Sequence, residues 1–418
     1  MSRREATADV FDTDHTIFSE NHRISPRQVR RALTLELFGA GSLLLPSRLA
    51  GESGIFGVLA LAVGAAGAMA LLSLWDKLSE HCDFSGGRIS ETPAYRGTDV
   101  QRLCQAAPAD GKKEERRNNK GNKETSEEKN VAEVTLPQRF FLAVAGIGLL
   151  ELAAGVLYLL TVLIRDQLLN NRYEPAILIT LTVAGVFGLR KGLESRIRVY
   201  EVLFWILLVP LIFILVIACV SVRPVYWVHT TCTMPGFWKS CGISFLFFSL
   251  SSLLLFFKPY CNPPQKAVKS ARCGIFLALI LNAAVYLVLL GIFQDRLLAE
   301  LKFPVILLMA VVKLPGGFFE RQDAFMVGIW FFCLFALFHS TLFYGKEVIQ
   351  SVLPLRQGQE SKKALVLSCF CGAVVFAVVY LMLKNETLAK EWGSVVLHVT
   401  GPTLLILPLL YYFCRRRT

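Results

Sequence analysis

Charge is scarce in this chain: 18% of its 418 residues are Asp, Glu, Lys or Arg, against 54% hydrophobic residues and a mean hydropathy of +0.50. Catalytic signatures are missing as well. There is no Gly-x-Ser-x-Gly turn, no Walker loop, no paired carboxylates and no His-x-x-x-His, which removes the common hydrolase, nucleotide-binding and zinc-protease readings. The eleven cysteines form no Cys-x-x-Cys and no Cys/His group at zinc spacing, so neither a metal nor a cofactor is expected. No cleavable signal peptide is expected, since about 30 polar residues precede the first apolar run.

What remains is apolar length. Ten runs long enough for a ~30 Å hydrocarbon core lie at 32–50, 54–75, 140–164, 175–189, 200–222, 238–257, 273–293, 324–344, 363–383 and 395–413. If they alternate across a membrane with both termini in the cytoplasm, the inward segments carry 33 of the 44 Lys and Arg residues. The formal net charge of +12 therefore reads as a topological signal and not as nucleic-acid affinity. Arg415, Arg416 and Arg417 would anchor the C-terminus at anionic membrane lipids.

The expected organisation is a tail at 1–31, a five-helix unit at 32–222, a second five-helix unit at 238–414 and a basic tail at 415–418. The loop at 76–139 is expected to be cytoplasmic and, over about 108–130, too polar to fold. An odd number of spans per unit inverts the second unit relative to the first. The fold class expected is thus an all-α polytopic membrane protein with a LeuT-like 5+5 inverted repeat and discontinuous helices 1 and 6. A short apolar piece, Phe303 to Val312, is expected to lie on the outer face and to end at Pro315-Gly316-Gly317.

Gly39-Ala40-Gly41-Ser42 sits near the middle of the first run. Gly costs about 1 kcal/mol against Ala in a helix, so the pair suggests an interruption whose free N–H groups could receive an anionic ligand group. Close packing of two helices explains Gly-x-Gly equally directly. Glu151 is the one carboxylate near the centre of a span, which makes it a candidate for a ligand- or proton-linked role. Helical spacing puts Gly148, Glu151, Gly155 and Tyr158 on one face. Glu36 is a second candidate, with pairing to Arg30 or Arg31 as the structural alternative. His339, Ser340, Thr341, Tyr344 and Asn282 suit interhelical hydrogen bonds. In the sixth run, Phe245 is followed by Ser249, Ser251 and Ser252, serines that can also bond their own helix.

Three stretches resemble the GerAB-like B subunit of spore germinant receptors, permeases of the amino acid–polyamine–organocation superfamily. The first is Ile24-Ser25-Pro26-Arg27-Gln28 followed by Gly39 to Pro46. The second runs from Phe303-Pro304 through Gly316-Gly317-Phe318-Phe319-Glu320-Arg321-Gln322-Asp323-Ala324-Phe325 to Trp330, and the third is Arg196-Ile197-Arg198-Val199-Tyr200-Glu201-Val202-Leu203. The resemblance implies an inner-membrane receptor subunit of a spore that works with A and C subunits and binds a small, amino-acid-like germinant. It places the ligand at Gly39, Ala40, Gly41 and Ser42, with Tyr158 and the stretch from Phe245 through Ser249 to Ser251 lining the pocket. A proton-coupled amino acid transporter with Glu151 as carrier is the competing expectation.

Overall fold

In the computed structural model the described residues are 24–79, 136–168, 173–189, 193–228, 230–256, 258, 261, 265–311, 322–352 and 360–407. Expectations for 108–130, Pro315-Gly316-Gly317, residues 1–23 of the N-terminal tail and the tail at 415–418 lie outside them, while residues 26–31 of the expected N-terminal tail already belong to the first helix. Among the described residues there is no β-strand, only one bridge between Ile24 and Cys261. The helices are α1 (Pro26–Ser53), α2 (Gly57–Ser79), α3 (Leu136–Gln167), α4 (Glu174–Gly188), α5 (Leu193–Ala218), α6 (Met234–Phe248), α7 (Gln265–Glu300), α8 (Pro304–Val311), α9 (Gln322–Val352), α10 (Glu360–Lys384) and α11 (Glu386–Val395). Nine of the ten expected spans each correspond to one of these, α8 being the short outer piece, while the tenth, 395–413, begins at the last residue of α11 and continues through a π-helical turn, Val396–Thr400, and helical residues 401–407, its remainder lying outside the described residues. Among the described residues six stretches are long and apolar enough to cross a membrane by themselves, the first of which, Pro26–Lys77, contains α1 and most of α2.

Local sequence explains the start of α1. Pro26 occupies the first helical position, Ser25 accepts from the Gln28 N–H at 3.3 Å, and Gln28 Oε1 accepts from the Ser25 N–H at 3.0 Å. This reciprocal capping box gives the first resembling stretch a physical role. At the far end Gly54 turns the chain with φ +51°, and Tyr286 donates to its carbonyl at 2.5 Å.

Tertiary pairing carries the repeat. The most extensive contacts are α1 with α7, α3 with α9 and α2 with α6. Exchanging each span for the one five places on swaps the first and third of these pairs and maps the second onto itself, as a 5+5 arrangement requires. The outward faces of α5 and α10 expose Val202, Ile206, Val209, Val366 and Phe370, which suits hydrocarbon. Trp75, Tyr286 and Trp330 fill the interior.

The two expected breaks fare differently. The sixth span changes character at Ser249, where α6 gives way to a 3₁₀ segment, Ser249–Phe256. The first span does not break: α1 is helical through Gly39, Ala40, Gly41 and Ser42, and through Pro46. Here glycine serves close approach. A Cβ at Gly39 would overlap Cβ of Cys333 on α9, and one at Gly41 would stand 2.6 Å from Oδ1 of Asn282 on α7. In α7 the non-helical Gln294 (φ 62°, ψ 162°) falls one residue beyond the expected end of the seventh run.

Candidate functional site

Three polar groups interrupt the apolar interior. The first joins α1, α5 and α9. Glu36 and Arg196 are both buried, at 8% and 6% exposure, Glu36 within the first span, where charge is expensive, and Arg196 at the start of the fifth. Ser340 Oγ lies 2.5 Å from Glu36 Oε1 and 2.7 Å from Tyr200 Oη, and Tyr200 donates to the Ala336 carbonyl at 2.7 Å. One turn before Tyr200, Arg196 donates from Nη1 to the His339 carbonyl at 3.4 Å and stacks over the Phe343 ring, 4.1 Å from its centroid. Its Nε and Nη2 are buried and make no hydrogen bond.

Glu36 thus finds its partners across the bundle and not in Arg30 or Arg31. Arg31 instead pairs with Glu201 and lies over the rings of Phe204 and Trp205. Gln28 donates to the same carboxylate at 3.1 Å, so the first and third resembling stretches meet. Further along the α1–α9 seam Trp330 Nε1 donates to Ser42 Oγ at 2.8 Å. Asn282 reaches α1 from α7, donating to the Leu37 carbonyl at 3.4 Å and to the Ala278 carbonyl at 2.8 Å.

The second group lies between α3 and α11. Thr400 donates to Glu151 Oε2 at 2.6 Å, while Glu151 Oε1 is buried without a hydrogen-bond partner. Thr400 belongs to a π-helical turn, Val396–Thr400, a rare geometry frequent at functional sites. One turn along α3 is Gly155, where the nearest atom to an added Cβ would be Trp392 Nε1 at 4.0 Å. That indole nitrogen is likewise buried and unpartnered. Gly148, by contrast, is covered by Thr400 and Leu404 at 3.3 Å, so the segment that follows α11 packs more tightly at this end of the groove than Trp392 of α11 does at Gly155. Half-buried Tyr158 continues the same face of α3 toward Arg165.

The third group is on α6 and the 3₁₀ segment that continues it. Ser240 and Ser244 are fully buried with hydroxyls that make no hydrogen bond, Ser249 donates to the Phe245 carbonyl at 2.5 Å, and the Ser251 hydroxyl is buried and unpartnered. The Phe245 ring lies against Gly67 of α2.

The expected site residues therefore divide. Gly39, Ala40, Gly41 and Ser42 pack along the α1 seams, Glu151 and Tyr158 look toward α11 and the π-helical turn after it, and Phe245 of α6, with Ser249 and Ser251 of the 3₁₀ segment that follows it, lies beside α2. Sequence reasoning passed over Arg196, Tyr200, Thr400 and Trp392. The i, i+4 spacing of Arg196 and Tyr200 was the available signal, since it puts both on one helical face. Among the described residues no group of three or more His, Cys, Asp or Glu could hold a metal ion, and Cys232 and Cys241 are free thiols.

Comparison with known proteins adds the following. The profile of a family described as "Spore germination protein" matches residues 140–387. Spore germination protein YndE of Bacillus subtilis (strain 168) is 25% identical over 252 residues, 58% of this chain and 65% of that protein. Spore germination protein B2 of the same organism is 22% identical over 228 residues, 52% of this chain and 59% of that protein. The matched regions span less than two thirds of either relative. Among solved structures, the substrate-bound outward-open state of a Na+-coupled sialic acid symporter is similar in fold, with a TM-score of 0.56 over 94% of this chain and 80% of that one at 12% identity.

Proposed function

The chain belongs to the Spore germination protein family, a premise from which we propose that it is the permease-like B subunit of a germinant receptor in the inner membrane of a spore. It is a membrane protein of transporter fold and not an enzyme. In this reading a small amino-acid-like ligand binds between α3 and α11, and the accompanying A and C subunits pass the signal on. Both termini face the cytoplasm.

The observation that carries the reading is Glu151. A carboxylate at mid-span is costly unless it is used. One of its oxygens is held by Thr400, which fixes the side chain, and the other is left as an acceptor for a ligand ammonium. Trp392 Nε1, facing Gly155 across the groove, is a donor for the ligand's carboxylate, and the indole supplies an apolar wall. Tyr158 closes the groove along α3. Gly39, Ala40, Gly41 and Ser42 on α1, with Phe245 on α6 and Ser249 and Ser251 in its 3₁₀ extension, set how closely the two central spans approach their neighbours, and so how the bundle answers when the groove is filled.

The test is equilibrium binding of a panel of labelled amino acids to the purified chain in nanodiscs, followed by uptake in proteoliposomes. Saturable binding that Glu151→Gln weakens at least tenfold, without accumulation in the vesicles, is expected. Accumulation driven by a proton gradient would replace the receptor with a transporter. Binding untouched by both Glu151→Gln and Trp392→Phe would remove the site from the α3–α11 groove.

A further inference from the structure

The group at α1, α5 and α9 plays no part in that reading, yet its hydrogens do not add up if Glu36 is ionised. Three oxygen–oxygen contacts run in series: Glu36 Oε1 to Ser340 Oγ at 2.5 Å, Ser340 Oγ to Tyr200 Oη at 2.7 Å, and Tyr200 Oη to the Ala336 carbonyl at 2.7 Å. Each is at O–H···O length and requires one hydrogen. The two hydroxyls bring one hydrogen each, and the carbonyl brings none. With Glu36 as a carboxylate, one contact is left as two lone-pair oxygens facing each other inside a dry bundle. With Glu36 as the neutral acid the series closes in one direction: Glu36 donates to Ser340, Ser340 to Tyr200, and Tyr200 to Ala336.

Arg196 supplies an independent observation. Nε and Nη2 form the side edge of the guanidinium, the two parallel donors that suit a carboxylate, and here both are buried and unpartnered although Glu36 lies within electrostatic reach. An ionised Glu36 would find its strongest partner there, yet its carboxyl is turned to the Ser340 hydroxyl, with the Tyr200 hydroxyl also within reach, instead. The other groups facing the pair are Tyr200 on α5, and His339 and Tyr344 on α9, with Glu347 acting on Arg196 from the same helix. Against the opposite side of α1, α7 brings Gly274 and Asn282, which do not titrate, and Cys273, which meets Arg30 nearer the start of the helix.

We propose that Glu36 is a proton-binding site of this chain: the structure holds its neutral acid form, and the carboxylate left after proton loss is received by the Nε–Nη2 edge of Arg196. The proton passes to water as hydronium, the electron pair of the broken O–H bond stays on the carboxyl oxygen, and no other reactant takes part. Because Glu36 is on α1 and Arg196 on α5, the exchange of partners draws these two spans together, so the bound species is a proton and the output is an interhelical distance.

Infrared difference spectroscopy of the full chain in lipid nanodiscs reads the site directly. At neutral pH the wild type should show the carbonyl band of a protonated buried carboxyl, shifted in D2O. The band should vanish in Glu36→Gln, persist in Glu151→Gln, and move without vanishing in Ser340→Ala, a variant that leaves the acid in place should Glu36→Gln fail to fold. Absence of the band from the wild type, or its survival in folded Glu36→Gln, overturns the assignment. For the second seat, spin labels at exposed Arg27 and Val199 should approach as alkali bleaches the band, and should hold their distance in Arg196→Gln. Bleaching with an unchanged label distance in the wild type overturns the role given to Arg196.

Discussion

Substituting Gly39 by Ala asks most directly whether α1 is a packed rod or an opened helix. The new Cβ would overlap Cβ of Cys333 and stand 3.2 Å from its Sγ. Cys333 is 1% exposed, and its Cβ is fixed to the backbone of α9, so no rotamer relieves the overlap and the two helices must part. Overpacking of this kind costs about 1–3 kcal/mol. Alanine's better helix propensity returns up to about 1 kcal/mol, which leaves a net loss of about 1 kcal/mol, and more if Trp330 loses Ser42 as the seam opens. Cys333→Gly removes the colliding atoms but adds a helical glycine and a small cavity, for a loss of about 2 kcal/mol. Together the two changes should destabilise less than their sum by about 1–2 kcal/mol, because each removes what the other strains. Thermal unfolding of all four proteins in mixed micelles closes the cycle, with ligand response measured on the same samples. Strict additivity, or a Gly39→Ala protein that melts at or above the wild type, would refute the packed seam and revive an opened helix at this point.

Further outcomes follow from single contacts. Trp330→Phe should lose about 0.5–1.5 kcal/mol with the bond to Ser42, and Ser42→Ala on top of it should add little, as judged by melting temperature. Thr400→Val strips the remaining donor from Glu151 and should lower stability by about 1–3 kcal/mol, whereas Thr400→Ser should stay close to the wild type in the same measurement. Protease added to sealed right-side-out vesicles should spare residues 108–130 until the membrane is opened, and cleavage before then would reverse the orientation drawn from Lys and Arg placement.

Much of the architecture was legible because its causes are local. Apolar length located the ten spans, the odd number per unit suggested inversion, and Ser25-Pro26 with Gln28 announced the start of α1 in adjacent residues. The site was harder to read because its chemistry is nonlocal. Gly39 and Gly41 look alike whether a helix opens or two helices touch, and the residues that decide it, Cys333 and Asn282, lie hundreds of positions away. Glu36 has Arg30 and Arg31 as sequence neighbours, yet helical rotation carries them to other faces and leaves it to Ser340 and Tyr200. Glu151 stood out because one carboxylate in an apolar helix is conspicuous, but nothing near it in sequence named Thr400 or Trp392 as its companions.

That α1 runs unbroken for 28 residues has a mechanical consequence. A span hinged at its centre absorbs displacement at the hinge and insulates one face of the membrane from the other. A continuous helix about 42 Å long, at 1.5 Å per residue, behaves as a lever. With the tight contact at Gly39 and Cys333 as its fulcrum, a tilt of about 10° carries each tip through roughly 3–4 Å. At one tip sits the grip of Gln28 and Arg31 on Glu201, and at the other the turn at Gly54 that Tyr286 holds. Displacement imposed at either end therefore arrives at the other as motion in the opposite sense, softened at Pro46, where the helix lacks one backbone hydrogen bond.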